Sequence, residues 1–328
     1  MAGGQERILR RRIKSVESTK KITRAMELIS ATRVVKAQDR AAAARPYSEE
    51  ITSVILDLVN AGAAKDHPLL RDNPDANTAA FIVVTSDRGL CGGYNSTVIR
   101  MAERELKARQ EEGRDYSLIV VGTKGEQYFR FRSYRIDASF AGVADQPTYE
   151  DARRVAAAVR ERFESGTLAS VDLAFTRYLN SATQEAVVRR FLPLKVEDDG
   201  SAGTGANPVG DLEYEPSPDG ILDEILPRYV ESRIFSALLD ASASEHAARQ
   251  RAMKAATDNA EELKTKLTRI MNRARQDSIT TEIMEIVGGA EALKNDKGGP
   301  EDLLLEHLTP EHLFAQHLDY LVHQPSAH

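Results

Sequence analysis

The residues with the most chemical promise lie in one short loop. Ser86-Asp87-Arg88-Gly89-Leu90-Cys91-Gly92-Gly93-Tyr94-Asn95 follows an apolar run and precedes a helical pattern, so its three glycines could present backbone N–H groups to a phosphate. The spacing G-x-x-G-G is neither the dinucleotide fingerprint nor the Walker pattern, and no lysine follows it. A tight strand-to-helix turn is the plainer reading. Cys91 has no histidine within 20 residues on either side, and His67 and His246 reach it only through the fold, which favours a buried thiol over a nucleophile. Five of the seven histidines (His307, His312, His317, His323 and His328) crowd into the last 22 residues, at spacings of five and six that do not share one helical face. No metal site is expected there or elsewhere. Neither paired carboxylates nor a Ser/His/Asp set has convincing context, which moves the weight from an enzyme toward a mechanical or scaffolding role.

The composition narrows the field further. Of 328 residues, 29% are charged and 6% aromatic, a balance suited to long solvated helices. A single cysteine excludes an internal disulfide framework and a cysteine zinc site, and makes a reducing compartment the default. No run approaches the ~20 apolar residues of a membrane span, and MAGGQERILRRR lacks the apolar core of a secretory signal. The expectation is a soluble or peripheral protein. The net charge of −6 hides an asymmetry: residues 1–46 hold twelve basic and four acidic side chains, +8, which leaves −14 for the rest. Nucleic acid is a poor partner for that basic segment, because no aromatic residue lies between Met1 and Pro46 to stack on bases.

Two long elements and one alternating segment must position these groups. Neither Pro nor Gly occurs from Gln5 to Arg45 or from Arg228 to Val287. A 60-residue helix over the second run would be about 90 Å long, too long for its own core, so it projects or pairs. Leu263, Leu267, Ile270, Ala274, Asp277, Thr281, Met284 and Gly288 step by 4 and 3, as in a coiled-coil seam, and Ala241, Ala248, Ala252, Ala255 and Ala256 predict a narrow face upstream. Leu9, Ile13 and Val16, then Ile22, Met26 and Ile29, form an interrupted stripe in the first run, which Ile51, Val54, Ile55, Leu58 and Val59 continue past Pro46. The two runs are expected to bury each other as an antiparallel pair. Between them, strands at 79–86, 116–122, 134–140, 171–178 and 185–190 alternate with helices at 96–109, 123–131 and 149–164, which predicts a mainly parallel sheet with helices on its faces.

Four blocks carry a resemblance. Ile279-Thr280-Thr281-Glu282-Ile283-Met284-Glu285-Ile286-Val287-Gly288-Gly289-Ala290-Glu291-Ala292 is similar to the C-terminal signature of the ATP synthase gamma-subunit family. Ile22-Thr23-Arg24-Ala25-Met26-Glu27-Leu28-Ile29-Ser30-Ala31, the loop Ser86 to Asn95, and Asn272-Arg273-Ala274-Arg275-Gln276 agree with it in the same order, and the likeness covers about residues 2–293. The resemblance implies an α/β protein with a long antiparallel coiled coil of N- and C-terminal helices and a central Rossmann-like α/β domain. It divides the chain into an N-terminal coiled-coil helix (1–60), the α/β domain (77–196), an acidic Gly/Pro linker (197–219), a C-terminal coiled-coil helix (220–293) and a C-terminal extension (294–328).

The same resemblance implies a function: the central rotor shaft of the F1Fo ATP synthase, coupling proton-driven rotation of the c ring to the cycling of catalytic beta subunits, and the reverse during ATP hydrolysis. The implied partners are the alpha3beta3 hexamer, the epsilon subunit and the c ring, at the cytoplasmic face of a bacterial membrane, with membrane association only through the complex. No cofactor, metal or active site is implied. Beta-subunit contact falls on Met26, Arg275, Gln276, Thr280 and Glu282, and an apolar bearing on Ile283, Met284, Ile286 and Val287. A basic shaft face is formed by Arg10, Arg11, Arg12, Lys14, Lys20, Lys21, Arg24, Arg33 and Lys36. Asp87, Arg88, Gly89, Cys91, Gly92 and Gly93 become a structural or contact loop of the foot. Two features depart from the family pattern: some 35 residues follow the signature, and one cysteine rules out the thiol switch of plastid members. The alternative is an α/β nucleotide-binding enzyme with helical dimerisation arms, supported only by the Gly-rich loop.

Overall fold

The computed structural model describes residues 2–60, 67–194 and 218–295. The expected linker and C-terminal extension therefore lie almost wholly outside the described residues. Ten elements follow in order: α1 (Ala2–Asn60), β1 (Thr78–Val84), α2 (Tyr94–Glu111), β2 (Asp115–Val121), α3 (Thr123–Phe131), β3 (Ala138–Phe140), α4 (Tyr149–Glu164), β4 (Leu168–Tyr178), β5 (Gln184–Leu192) and α5 (Pro218–Asn295). The chain divides into two units whose boundaries fall inside the two long helices. One unit holds residues 16–263 and the other residues 1–15 with 264–328.

In the larger unit the strands form one sheet of order β3-β2-β1-β4-β5, parallel except for the antiparallel β4–β5 pair. Val, Ile, Ala and Phe fill β1 and β2 on both faces, as a doubly covered sheet requires. Because side chains alternate, Ala80, Ile82 and Val84 face a core with α4, Ile51, Ile55 and Leu58 of α1, and Leu222 to Ala241 of α5. Phe81 and Val83 face the opposite core, with Val98, Ala102 and Leu106 of α2 and Phe129 of α3. Thr148 and Asp151 form a capping box that starts α4. Gly122, at φ +94°, links β2 to α3 where a Cβ would sit 2.2 Å from the Thr85 carbonyl oxygen. Only glycine fits there.

The long helices pair antiparallel within this unit: Lys20 meets Glu261 in an ion pair, and Thr257 donates to Thr23 across 2.8 Å. The seam differs from the expected one. Along α1 the more buried positions step 3 and 4 without a break through Val16, Lys20, Thr23, Glu27, Ser30, Val34, Ala37 and Ala41, while Ile22 and Ile29 are more than half exposed. The apolar stripe therefore does not run through Ile22 and Ile29. In this stretch the seam is polar, and the apolar side chains point away from it.

A matching correction applies to α5. Met253, Thr257 and Ala260 are buried, whereas Leu263 is 45% exposed. In the other unit Leu267 is buried, Lys264 and Met271 are half-buried, and Ile270 is 42% exposed. The seam passes through 257, 260, 264, 267, 271 and 274, and Asp277, Thr281, Met284 and Gly288 are exposed. A threonine and a lysine at seam positions hid the register, because a Lys stem can lie along an interface with its charge outside. Of the expected alanine face, Ala241 is buried, Ala248, Ala252 and Ala256 are half-buried, and Ala255 is exposed. Pro46 does not end α1, and Pro227 lies inside α5.

Candidate functional site

The Gly-rich loop sits where an α/β sheet would hold a ligand. β1 lies between β2 and β4, so the crevice at its carboxyl end is the topological switch point. Here α5 covers that crevice. The Tyr94 hydroxyl donates to the Ala241 carbonyl at 3.2 Å, Ser244 donates to the Thr176 carbonyl at 3.1 Å, and a Cβ on Gly92 (φ +58°) would lie 3.7 Å from the Ala252 Cβ. Gly92 thus serves a left-handed turn beneath a helix. Asp87 accepts from the backbone N–H groups of Thr123, Gly142 and Ala144 at 2.9–3.1 Å, tying the loop to the start of α3 and to the segment after β3. Cys91 is buried, with burial pushing its thiol pKa up, so it is an inert group contacting Ser86 and Asn95 rather than a nucleophile.

Beside the loop lies a cavity of about 310 Å³ whose lining combines Met26 and Ile29 of α1, Leu90, and the guanidinium groups of Arg33, Arg88 and Arg249. Leu90 is 62% exposed and held at φ +64°, a strained conformation for a branched side chain. Under this cavity is a charged cluster. Asp145 accepts from Arg33 at 2.6 Å through both carboxylate oxygens and pairs with Arg88 at 2.7 Å. Glu245 pairs with Arg249 at 2.6 Å, and Arg249 also donates to the carbonyls of Arg88 and Gly89.

Burial opposes the charge on Asp145, but the Arg33 hydrogen bond and Arg88 hold its pKa below the usual carboxylate range. Burial raises the pKa of Glu245 despite Arg249. Burial also lowers His246 to about 4 against the pull of Asp145, so this imidazole is neutral at pH 7. Ligand atoms of Asp145, Glu245 and His246 lie within 4.8 Å of one another, but three guanidinium groups already supply the positive charge there. The cluster is an ion-pair network, not a metal cage.

In the smaller unit every α5 residue from Ile279 to Lys294 is exposed. Ile283, Met284, Ile286 and Val287 are among them, at 55%, 68%, 72% and 55%. With Ile279 they share one side of the helix, opposite Thr281, Glu282 and Glu285, and an uncovered apolar face of this kind marks an interaction surface.

A family model described as ATP synthase matches residues 5–293. The ATP synthase gamma chain of Frankia casuarinae is 51% identical over 294 residues, covering 88% of this chain and 98% of that one. The ATP synthase gamma chain of Streptomyces coelicolor is 44% identical, covering 92% and 100%. The chain belongs to the ATP synthase gamma-chain family. Its function is that of a gamma subunit, the rotor of the central stalk. The fold agrees: a chain of the Euglena gracilis mitochondrial ATP synthase superposes with a TM-score of 0.63 at 19% identity, covering 92% of this chain and 98% of that one. A central-stalk/c-ring structure from Tetrahymena thermophila gives 0.54 at 22% identity, covering 72% and 99%.

As a gamma-family chain, its expected contact residues can now be placed. Met26 is half-buried at the rim of the cavity, facing the Gly-rich loop. Arg275, Gln276, Thr280 and Glu282 are exposed, and Arg275 has no ion pair among the described residues. The nine basic positions divide into two groups. Arg11, Arg12, Lys14, Lys21 and Lys36 are exposed and carry no ion pair among the described residues. Arg10 and Arg24 pair along α1 with Glu6 and Glu27 at 2.8 Å, while Lys20 and Arg33 turn inward to Glu261 and Asp145. Lys20 and Arg33 thus belong to the protein's own packing as well as its surface. The residues that sequence reasoning missed are Asp145, Glu245, His246 and Arg249. For the last three the one local signal is the presence of Glu245, His246 and Arg249 inside an otherwise small-residue helix stretch, and nothing in its own segment marks Asp145.

Proposed function

We propose that this chain is a non-catalytic torque shaft of a bacterial F1Fo ATP synthase. It turns inside an alpha3beta3 ring, carries the epsilon subunit and sits on a c ring at the cytoplasmic face of the membrane. The observation that carries this reading is the exposed apolar stretch Ile279 to Val287. Its side chains have no core of their own, and an enclosing ring with a low-polarity collar would cover them while letting them slip. No helix among the described residues is long and apolar enough to cross a membrane, which accords with attachment through the complex. The domain division follows the same logic, with residues 1–60 and 220–293 as shaft and 77–196 as foot.

The contact roles are physical. Exposed Arg11, Arg12, Lys14, Lys21 and Lys36 can exchange acidic partners as the shaft turns, each pair worth about 0–1 kcal/mol, which suits a bearing. Arg275, Gln276, Thr280 and Glu282 offer polar groups to one beta subunit at a time, and Met26 offers a flexible apolar contact. The covered switch-point crevice removes the main support for the nucleotide-enzyme alternative. Co-purification of the chain with alpha and beta subunits tests the proposal. The isolated chain is expected to hydrolyse no ATP and to bind neither ATP nor NAD in equilibrium dialysis, yet to confer fast turnover on the ring. Tight nucleotide binding by the chain alone would overturn it.

A further inference from the structure

The charged cluster beneath the cavity joins parts of the fold that a rotor must keep in register. Asp145 stands in the short segment between β3 and α4, and residues from three other places in the chain converge on it. From α1, Arg33 holds both carboxylate oxygens at 2.6 Å. From the loop after β1, Arg88 pairs at 2.7 Å. From α5, His246 approaches at 3.4 Å and Ser242 donates to the Asp145 backbone carbonyl at 2.9 Å. The segment itself is pinned to the sheet, because Asp87 accepts from the N–H groups of Gly142 and Ala144, and Val143 and Ala144 are buried. Two residues further on, Arg40 of α1 donates to the Pro147 carbonyl.

We propose that Asp145 is the positioning residue that locks both shaft helices to the α/β domain and sets the torsional stiffness of that junction. This inference rests on the rotor reading and deepens it. Apolar contacts such as those of Ile51 and Ile55 with the sheet are non-directional and do not by themselves single out one angle. Charge-assisted hydrogen bonds are short and directional, and here one guanidinium nitrogen, Arg33 Nη1, is shared between both carboxylate oxygens, so the contact resists shear. Two guanidinium groups from different elements grip one half-buried carboxylate, so a twist of α1 against the sheet has to stretch charge-assisted bonds, and a twist of α5 has to stretch the hydrogen bonds of Ser242 and Arg249. Arg249 grips the Gly-rich loop a second time, through the carbonyls of Arg88 and Gly89. The exposed Leu90 therefore moves with α5.

The test uses the assembled complex, anchored through its beta subunits, with a bead on the foot and rotation stalled. Asp145→Asn keeps the side chain's size but loses the charge, and its angular variance is expected to rise about twofold as the charge-assisted contacts with Arg33 and Arg88 weaken. Asp145→Glu, which keeps a carboxylate, is expected to return the variance toward wild type. A role confined to folding stability would lower the melting temperature and leave the variance of surviving complexes unchanged. An Asp145→Asn variance equal to wild type in complexes that rotate overturns the proposal. Should Asp145→Asn fail to assemble, Arg33→Ala against Arg33→Lys carries the test, with a larger variance expected for Ala and equality overturning the idea. If the wild-type chain itself does not assemble with the ring, it is the rotor reading that fails.

Discussion

Two stretches of the same helix behave in opposite ways. From Ala241 to Arg249, α5 is buried or half-buried at every position, and most of its polar groups are answered by its own chain: Ser242 by Asp145, Ser244 by Thr176, and one oxygen of Glu245 by Arg249. From Ile279 to Lys294 every residue is exposed, although Ile279, Ile283, Met284, Ile286 and Val287 make this stretch no less apolar. Helix propensity favours the Ala-rich first stretch over the second, with its β-branched residues and Gly288-Gly289, yet both are helical and the difference lies in burial. On the proposed shaft reading, what differs is which molecule supplies the surrounding surface: apolar side chains in the first stretch stabilise the fold, and those in the second are reserved for assembly.

The comparison breaks first at the buried end of α5. Leu226→Ala removes a fully buried side chain from the core between α5 and the sheet and is expected to destabilise the isolated chain by about 2–5 kcal/mol in urea unfolding. A loss below about 1 kcal/mol would mean that this stretch also depends on a partner.

A second test uses a charge caught at the same end. Asp240 is largely buried, and burial raises its pKa from 3.8 to about 6 against the pull of Arg177, Arg45 and Arg189. In this case the folded form holds its proton more tightly than the unfolded chain does. The group is neutral with respect to stability below about pH 4, costs progressively more as pH rises toward 6, and levels off above that. Asp240→Asn is therefore expected to stabilise the chain by about 1–3 kcal/mol at pH 8 and by almost nothing at pH 4. Denaturant midpoints at the two pH values check it, and an equal gain at both would refute the assignment.

How much of this was legible depended on how local the determinants were. The bounds of α3 and α4 follow from breakers and caps in the sequence itself, and the strands of the sheet from runs such as Ala79-Ala80-Phe81-Ile82-Val83-Val84. The shaft seam was misplaced because its own positions carry Lys20, Thr23, Glu27 and Ser30, while Ile22 and Ile29 turn outward. A pattern search assigns the apolar residues to the inside, and here Ile22 and Ile29 stand outside the seam, exposed. The Asp145 cluster was invisible for a different reason: its members come from α1, two loops and α5, and no spacing in one segment announces them.

That polar seam gives the third prediction. Thr257→Val deletes the hydroxyl bonded to Thr23 and is expected to cost about 1 kcal/mol. Replacing both threonines by valine should recover most of the loss, since a matched apolar pair leaves no orphaned acceptor at Thr23. A double variant as weak as the sum of the singles would show that the threonines do not act as a pair.

The smallest effect on the chain is expected where the comparison is sharpest. Ile283 and Ile286 touch no core, so changing both to alanine should alter the stability of the isolated chain by less than about 0.5 kcal/mol. In the complex the same methyl groups would be covered. Losing them is expected to weaken association with the ring about tenfold, equivalent to about 1.4 kcal/mol, measurable by competition with the wild-type chain. Equal small effects on chain and complex would show that this stretch stays in water throughout, and the distinction between the two ends of α5 would then be one of exposure without function. A large loss in the isolated chain would say the reverse, that the stretch packs on its own chain, and it would remove the reason for enclosing it in a ring.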